Sequence, residues 1–450
     1  MCGAGATPVA DAGPPLVADF GHKVPFGQQY HDNMRAIMQR IAVESVSAIS
    51  AAADAAATAL RTGHEVYINL TVGHIPGTET ANDRNGNPGL FRHTARDWWS
   101  PEEYDEMSDG DVLITQHMNE GVTAAKARGT FVVAVKTPYI NNRSAPPGEV
   151  EPISGPWEAE VMPEDIADIL IESFLPWEQG LVQVPSWPWF PVLPSSGNGS
   201  CMIHWMITAE VCQRLGSVPD RYPAVSYAST LLQQLQDTHT MCWPEIRDTL
   251  AVEVAERILR GGHYFVAPAS NIYEGNVSAS HPARDGGLAS EAHCATSLRL
   301  PNRHEPRERD AGGMDDITLV GVVDSGVFHP GCAEVELRWV AEAHARGNFV
   351  IGMGPSGHDR LREACDAYLP TACAEGGVIE TKPDALDRGL TAICPTGGIV
   401  NNILMQMLHA QFAEEMIRRG HYPLWQMGIY RTGGREFNLK NDKLFLQRGF

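Results

Sequence analysis

Short apolar runs alternate with amphipathic helical segments along most of the chain. A helical pattern from about Tyr30 to Arg61 is ended by Gly63 and leads directly into a predicted strand, EVYINL. Two further strands, DVLIT and FVVAV, flank a predicted helix from about Glu120 to Arg128. Strands that alternate with helices in this way are typical of an α/β fold with a doubly wound, mainly parallel sheet.

A second set of elements follows in the same order. A helix is predicted from about Ala224 to Arg260, and the strands YFVAP, DITLVGVV and NFVIGM follow it. A short helix, HDRLREACDAYL, and a long one, IVNNILMQMLHAQFAEEMIRRG, close this set. Two phrases also recur in register: RTGHEVYIN returns as RGGHYFVAP, and ARGTFVVAV returns as ARGNFVIGM.

These matched landmarks predict two α/β domains of roughly 200 residues each, related by internal duplication. We expect an N-terminal arm at residues 1–28, a first domain at 29–218, a second domain at 219–436 and a C-terminal tail at 437–450. The tail mixes basic and apolar residues, and a strap across a subunit interface is one interpretation of it.

Charge and cysteine content narrow the classes of function. The formal net charge of −21 at pH 7 disfavours binding to nucleic acid and to anionic membrane surfaces. The nine cysteines form neither C-x-x-C pairs nor a dense disulfide framework, which indicates a reducing compartment. No secretory leader or bilayer-length apolar run is recognisable, so we expect a soluble, cytoplasmic protein.

Several segments share the layout of one known family. INLTVGH…NPGLFRH, ending at His93, and APASNIYEGNVSASHPARDGGLASEAH, ending at His293, each place a histidine-containing loop and a glycine-containing segment after a strand. ICPTGGIVNNILMQMLHAQFAEEM then leads to GHYPLW and the tail FNLKNDKLFLQRG. With these residues the chain resembles sugar isomerase (SIS) domains, the α/β phosphosugar-binding modules found in tandem in glucosamine-6-phosphate synthase. The resemblance covers most of residues 30–450, and it implies a tandem SIS protein whose tail closes over the sugar and supplies Lys440 or Lys443.

The phosphate loop of the family is where this chain departs from the resemblance. SIS domains usually cradle phosphate with an S-x-S-G-x-T loop after the second strand, at a helix N-terminus. The first unit has TQHMNEG at this place and the second has VDSGVFHPG, so only Ser325 keeps a serine of the motif. The first unit therefore lacks the motif from which phosphate binding would be predicted. The ligand need not be a simple sugar phosphate.

Candidate binding residues follow from the rule that ligands of open α/β sheets lie outside the carboxyl ends of the strands. The turns PSSGNGS and CPTGG each open a predicted helix, where free N–H groups favour anions or hydroxyl groups. Helix capping is the alternative explanation for the hydroxyl residues of these turns. The predicted binding residues are Thr71, His117, Glu120, Ser200, Ser270, Asn271, Asp324, Ser325 and Thr396.

Aldose–ketose isomerisation moves a proton between adjacent carbons through an enediol, which requires a base and a donor to the developing oxyanion. Candidate groups on the loops after the first strand of each unit are Glu274 and Glu291 as bases, with His74, His281 and His293 as proton-transfer partners. Glu79 and His93 lie on the same loops, and solvated loop charges are the alternative for each glutamate. No pair of histidines at helical spacing defines a metal site, so we expect no cofactor. A bound divalent metal is kept as an alternative.

The first functional hypothesis is an isomerase acting on a sugar phosphate or related sugar. Its site would lie between the domains, be dominated by loops of the second unit and be completed by the first. A lyase or etherase that removes a proton next to a leaving group, and a non-catalytic phosphosugar sensor, are the alternatives. We expect a small-molecule sugar or sugar phosphate as the partner, no nucleic acid, no membrane, and a homodimer or higher homo-oligomer.

Overall fold

The computed structural model describes residues 24–70, 82, 84–93, 104–137, 161–177, 180–185, 187–262, 264–268, 314–321, 335–374, 376–386, 389–425 and 434–448. The first half of the chain begins with two helices and ends with a hairpin and a long helix. Its helices are α1 (Phe26–Glu44), α2 (Val46–Arg61), α3 (Glu120–Ala127), α4 (Pro163–Ile166) and α5 (Ser196–Arg214). Its strands are β1 (Val66–Asn69), β2 (Arg92–His93), β3 (Val112–Thr115), β4 (Phe131–Lys136), β5 (Ile169–Glu172), β6 (Gly180–Val184) and β7 (Trp187–Pro194).

The second half has the same plan and adds one terminal helix. Its helices are α6 (Pro223–Glu245), α7 (Ala251–Leu259), α8 (Val335–Ala345), α9 (Asp359–Ala364), α10 (Gly397–Arg418) and α11 (Gly434–Arg448). Its strands are β8 (Tyr264–Pro268), β9 (Ile317–Gly321), β10 (Phe349–Pro355), β11 (Ala367–Thr371), β12 (Gly377–Glu380) and β13 (Ala392–Pro395). Residues 215–222 join α5 to α6, and we propose the domain division within them, at residue 218.

Within the described residues, each half contains one parallel sheet. The first sheet has five strands in the order β2-β1-β3-β4-β5, and the second has four in the order β8-β9-β10-β11. Every neighbouring pair in both sheets is parallel. Each half also has an antiparallel hairpin, β6–β7 or β12–β13, directly before its long helix. The predicted α/β class with mainly parallel sheets is therefore confirmed.

Two long helices of the prediction are interrupted in the structure. The first bends by 60° at Ser45, whose hydroxyl donates to the Glu172 carbonyl oxygen at 2.7 Å. The second passes through a π-helical turn, Ile246–Leu250, just after Pro244, which has no N–H group to continue the α-helical ladder. Helical periodicity continues across both breaks, so the sequence pattern did not show them.

One other prediction of local structure needs correction. The predicted short helix at HDRLREACDAYL ends at Ala364, and Ala367–Thr371 is instead strand β11, paired with β10. Long-range strand pairing decides this case, and such pairing has no local signature. Residues 437–448 of the proposed tail belong to helix α11, which begins at Gly434.

Side chains of the strands divide between two faces, and both faces are buried. Along β3, Val112 and Ile114 pack into a central core, whereas Leu113 packs into a separate cluster on the outer face with Val122 of α3. Successive strand residues point to opposite faces, so two buried faces require near-continuous apolar strands. A corresponding outer cluster of the second sheet includes Val340 of α8 and Leu361 of α9. The central core contains side chains of both sheets and of the helices α1, α2, α5, α6, α7 and α10.

Equivalent contacts recur in the two halves. The Asp168 carboxylate accepts from Val132 N at 2.8 Å, and that of Asp366 accepts from Val350 N at 2.7 Å. Leu193 and Cys394, each just before the proline that ends the hairpin, have positive φ angles of 69° and 61°. These non-glycine residues in a left-handed conformation mark the same turn in both halves. We propose that internal duplication produced the two halves.

A buried glutamate of each half caps a helix of the other half. On α10, the Glu414 carboxylate accepts from Phe26 N, at the start of α1, at 2.7 Å. On α5, the Glu210 carboxylate accepts from Ala224 N, at the start of α6, at 3.2 Å. Each glutamate also pairs with the arginine four residues later, Arg418 or Arg214. Because the first N–H groups of a helix lack intrahelical partners, each carboxylate satisfies an orphan donor of the other half.

Glu414→Gln should lower the free energy of unfolding by about 1 kcal/mol, since the amide keeps an acceptor for Phe26 N but loses the charge near the helix N-terminus. Chemical denaturation monitored by circular dichroism measures the change. Glu415→Gln is the matched control, because Glu415 is only partly buried and pairs with Arg419 on the same helix. An equal loss in both variants would contradict the capping role.

No single helix in the described part of the chain is both long and apolar enough to cross a membrane. The pair α1 and α2 reaches the required length and apolar composition only when taken together across its 60° bend.

Candidate functional site

Polar side chains follow two adjacent strands of the first sheet and meet the beginning of α5. Gln116 comes directly after β3, and Thr137 comes directly after β4. The Gln116 side-chain nitrogen donates to Thr137 Oγ1 at 2.7 Å and to Ser200 Oγ of α5 at 2.8 Å. These contacts place a buried hydrogen-bonded group where open α/β sheets bind their ligands.

The hydrogen bonds of Thr137 fix the orientation of the Gln116 amide. Thr137 Oγ1 donates its one proton to the Val135 carbonyl oxygen at 3.2 Å, so it can only accept from Gln116. In this arrangement the Gln116 amide nitrogen faces both Thr137 and Ser200. Gln116 Oε1 is then buried with no hydrogen-bond partner, although the side chain is 1% exposed.

His204 lies one helical turn after Ser200, on the same face of α5. Its side chain is 1% exposed, and neither ring nitrogen has a hydrogen-bond partner. Burial, with smaller contributions from the nearby His93 and Arg84, lowers the pKa of His204 to about 3. The ring is therefore neutral at pH 7, with one N–H donor and one acceptor nitrogen. We refer to Gln116, Thr137, Ser200 and His204 as the α5 polar cluster.

Aromatic rings and one arginine surround His204. Its ring centroid lies 4.4 Å from that of Trp205 and 6.0 Å from that of Phe91. The buried Arg84 guanidinium lies 5.4 Å above the Trp205 ring and donates to the Asn85 carbonyl oxygen. The cation therefore stacks on an aromatic face beside the cluster.

The site adjoins the junction between the halves. The Gly86 carbonyl oxygen accepts from Cys394 N of β13 at 2.9 Å. Two residues before Ser200, Asn198 Oδ1 accepts from Asn402 Nδ2 of α10 at 2.8 Å, and both side chains are fully buried. The N-terminal parts of α5 and α10 are thus fixed to each other by an amide pair.

Helix α10 carries the corresponding polar residues of the second half. It is buried at every position from Gly397 to Ile417 except Glu415, yet it contains Asn401, Gln406 and His409 among apolar residues. At its start, the Thr396 hydroxyl donates to Gln234 Oε1 of α6 at 2.5 Å. A helix buried on all sides must find partners for every such group from other elements.

The structure places four of the predicted site residues. Ser200 belongs to the α5 polar cluster, and His117, next to Gln116, is buried, with its pKa lowered to about 3 by burial. Glu120 is exposed in the first turn of α3, where its carboxylate complements the helix dipole. Thr396 lies at the α10 turn, in the second half. Thr71, His74, Ser270, Asn271, Glu274, His281, Glu291, His293, Asp324 and Ser325 lie outside the described residues, as does Glu79.

Helix capping does not explain either of the two hydroxyl residues, Ser200 and Thr396. Ser200 is inside α5 and accepts from Gln116, and the Thr396 side chain makes no capping hydrogen bond. The sequence prediction also missed Gln116, Thr137 and His204. Gln116 and His204 could have been found as an amide and an imidazole side chain in segments that are otherwise apolar. Such groups need a specific partner or ligand when they are buried.

No described group of three or more His, Cys, Asp or Glu side chains could hold a metal ion. The candidate histidines His74, His281 and His293 lie outside the described residues. Three of the four members of the α5 polar cluster offer only amide or hydroxyl groups. This donor set suits hydrogen bonding better than metal coordination.

The fold and the site define a class of protein: two parallel α/β units with matching strand order, joined by central helices and bearing a buried polar site at the carboxyl ends of the strands. Three solved structures illustrate what the chain is similar to. The chain is similar to a candidate phosphosugar isomerase from Silicibacter pomeroyi, with 11% identity, a TM-score of 0.46 and coverage of 87% of this chain and 98% of that one. It is similar to a candidate phosphosugar isomerase from Clostridium difficile, with 10% identity, a TM-score of 0.47 and coverage of 84% and 93%.

A third similar structure is the C-terminal domain of glucosamine-fructose-6-phosphate aminotransferase from Francisella tularensis, with 10% identity, a TM-score of 0.44 and coverage of 88% of this chain and 98% of that one. No protein-family model matches the sequence, and no curated protein matches it. At these identities and TM-scores the likeness carries no argument for function. The fold class stated above therefore depends on the strand pairing and burial of this chain.

Proposed function

We propose that the protein binds a sugar phosphate or a related acidic sugar and interconverts its aldose and ketose forms by enediol proton transfer. The observation that carries this proposal is the buried α5 polar cluster, with its unmet hydrogen-bonding groups, at the carboxyl ends of β3 and β4. Binding sites of parallel α/β sheets lie at this edge. The SIS-like layout of the sequence supports a sugar as the ligand.

Enediol chemistry needs a site that excludes water. The members of the cluster are each at most 3% exposed, so a ligand that reaches them is enclosed at that end. Enclosure strengthens hydrogen bonds to the developing oxyanion and protects the enediol from side reactions. In the proposal, Glu274 or Glu291 moves the proton, with His74, His281 or His293 as partner, and the cluster holds the rest of the sugar.

Proton NMR of the protein incubated in D₂O with a panel of sugar phosphates and unphosphorylated sugars tests the proposal. An isomerase exchanges the proton at C2 with solvent and produces a new isomer. The Glu274→Gln and Glu291→Gln variants then show which carboxylate moves the proton. If a sugar binds but neither exchange nor any product is observed, the protein is a sensor and the catalytic proposal is wrong.

A further inference from the structure

The α5 polar cluster has unmet hydrogen-bonding capacity of two kinds. Gln116 Oε1 is an acceptor with no donor, and the neutral His204 ring has one donor and one acceptor with no partners. Both side chains are 99% buried, so bulk water does not satisfy them. Buried polar groups almost always have partners, and an exception calls for an explanation such as a bound ligand.

The cluster is unsuited to a phosphate. Both N–H groups of Gln116 are already donated to hydroxyl groups, and its free carbonyl oxygen would repel an anion. None of the four side chains is charged at neutral pH, whereas phosphate sites use cations or several convergent N–H groups. The cluster nevertheless occupies the place after β3 where the resemblance implies the S-x-S-G-x-T phosphate loop.

A sugar hydroxyl group fits the unmet groups. A hydroxyl both donates and accepts, so neighbouring hydroxyl groups of one sugar can donate to Gln116 Oε1 and accept the N–H of His204. Sites that enclose such a hydroxyl discriminate strongly against analogues without it, because the protein groups are then left unpaired. We infer that the α5 polar cluster binds a hydroxyl group of the sugar, and that the phosphate of a phosphorylated substrate lies elsewhere. This inference rests on the proposed function and specifies which part of the ligand the first half recognises.

Isothermal titration calorimetry with single-hydroxyl deletions of the ligand tests the inference. The probes are glucose 6-phosphate, fructose 6-phosphate and arabinose 5-phosphate, the monodeoxy analogues of whichever binds, and inorganic phosphate. In the parent protein, one deoxy analogue should bind about 10- to 100-fold more weakly than the complete sugar. In His204→Phe and in Gln116→Met that difference should shrink to about threefold or less, while the affinity for inorganic phosphate stays within about twofold.

Thr208→Val is the matched control. Thr208 is buried one turn beyond His204 on α5, and its hydroxyl is already satisfied by the His204 carbonyl oxygen at 2.9 Å. This variant should keep the full difference between the sugar and its deoxy analogue.

Thermal unfolding separates a binding role from a structural one. An unpartnered buried ring destabilises the ligand-free fold, so His204→Phe should unfold at the same temperature as the parent or higher. A lower unfolding temperature in that variant overturns the inference, because the ring would then be satisfied within the protein. An unchanged hydroxyl preference in either variant also overturns it, as does binding of inorganic phosphate without any sugar of the panel.

The failure of this inference is distinguishable from the failure of the proposed function. Sugar binding with the expected hydroxyl preference, but without C2 exchange in D₂O, rejects the isomerase and retains the hydroxyl site. Exchange in D₂O with a hydroxyl preference that does not depend on Gln116 or His204 retains the isomerase and rejects the hydroxyl site.

Discussion

Replacing Asn402 with leucine should lower the free energy of unfolding by about 2–3 kcal/mol, although the two side chains are similar in size. Asn402 Nδ2 donates to Asn198 Oδ1 at 2.8 Å between the two long helices, and both residues are fully buried. Without the donor, Asn198 Oδ1 remains in the core without that bond, and the lost interaction adds to the cost of burying it. Denaturant unfolding of parent and variant measures the loss.

The double-mutant cycle tests whether the two amides act as a pair. Asn198→Leu also removes a bond to Tyr30 Oη at 3.4 Å, so its own effect should exceed that of Asn402→Leu. The double variant should be less destabilised than the sum of the single variants, because an apolar pair leaves no unmet group between the helices. Additive effects would mean that the amides contribute separately, and the link between the halves would then lie elsewhere.

Acidification from pH 6.5 to pH 4 should destabilise the protein, with about 1–2 kcal/mol of the loss coming from one half-buried histidine at the junction of the halves, after allowance for solvent screening. The rings of His31 on α1 and His239 on α6 stack with centroids 4.1 Å apart, and His239 also stacks on Trp243. Burial, together with the neighbouring His31, lowers the pKa of His239 to about 4; burial also lowers the pKa of His31.

The sign of the effect follows from the lowered pKa. Between pH 6.5 and pH 4 the unfolded chain binds a proton at His239 that the folded protein does not, so stability falls as the pH falls. The charged and polar groups that face the pair are Asp32, which contacts His31 Nδ1 at 2.9 Å, Arg35, and Gln28, which contacts His239 Nε2 at 2.8 Å. Asp32 opposes the pKa decrease of both rings, whereas Arg35 adds to that of His31.

His239→Phe keeps a ring in the stack and removes the titration. The stability difference between pH 8 and pH 4 should shrink by about 1–2 kcal/mol relative to the parent, while stability at pH 8 changes by less than about 1 kcal/mol. His344→Gln is the control, because His344 is 39% exposed and lies on α8, away from the stack. If His239→Phe keeps the parent's full pH dependence, other groups cause the acid destabilisation.

Much of the fold could be predicted from the sequence because its signals are local. Continuous apolar runs such as FVVAV and NFVIGM indicate strands buried on both faces, and the structure places them as β4 and β10 at equivalent positions. The recurrence of these runs in register predicted two α/β units before any contact was known. The bend at Ser45 was missed because it depends on what the helix packs against. Pro244 was a local signal for the second break, but the continuous apolar periodicity outweighed it in the prediction.

The candidate site was predicted only in part. Ser200 was found from its position in a glycine- and serine-rich turn, for which the sequence suggested an anion or hydroxyl site or helix capping; capping does not explain a residue that lies inside α5 and accepts from Gln116. Gln116 looked like one residue of an eroded phosphate loop. Its role depends on Thr137 and Ser200, which lie 21 and 84 positions away along the chain.

The sequence by itself determined the α/β class, the parallel strands and the two-unit organisation, because apolar periodicity and helix-ending glycines act over a few residues. Only the tertiary structure decided that Glu414 and Glu210 cap helices of the opposite half, that Asn198 pairs with Asn402, and that Gln116 and His204 are buried with unmet hydrogen-bonding groups. The physical reason is that the cost of burying a polar group depends on which distant residues surround it, and that information is absent from the local pattern.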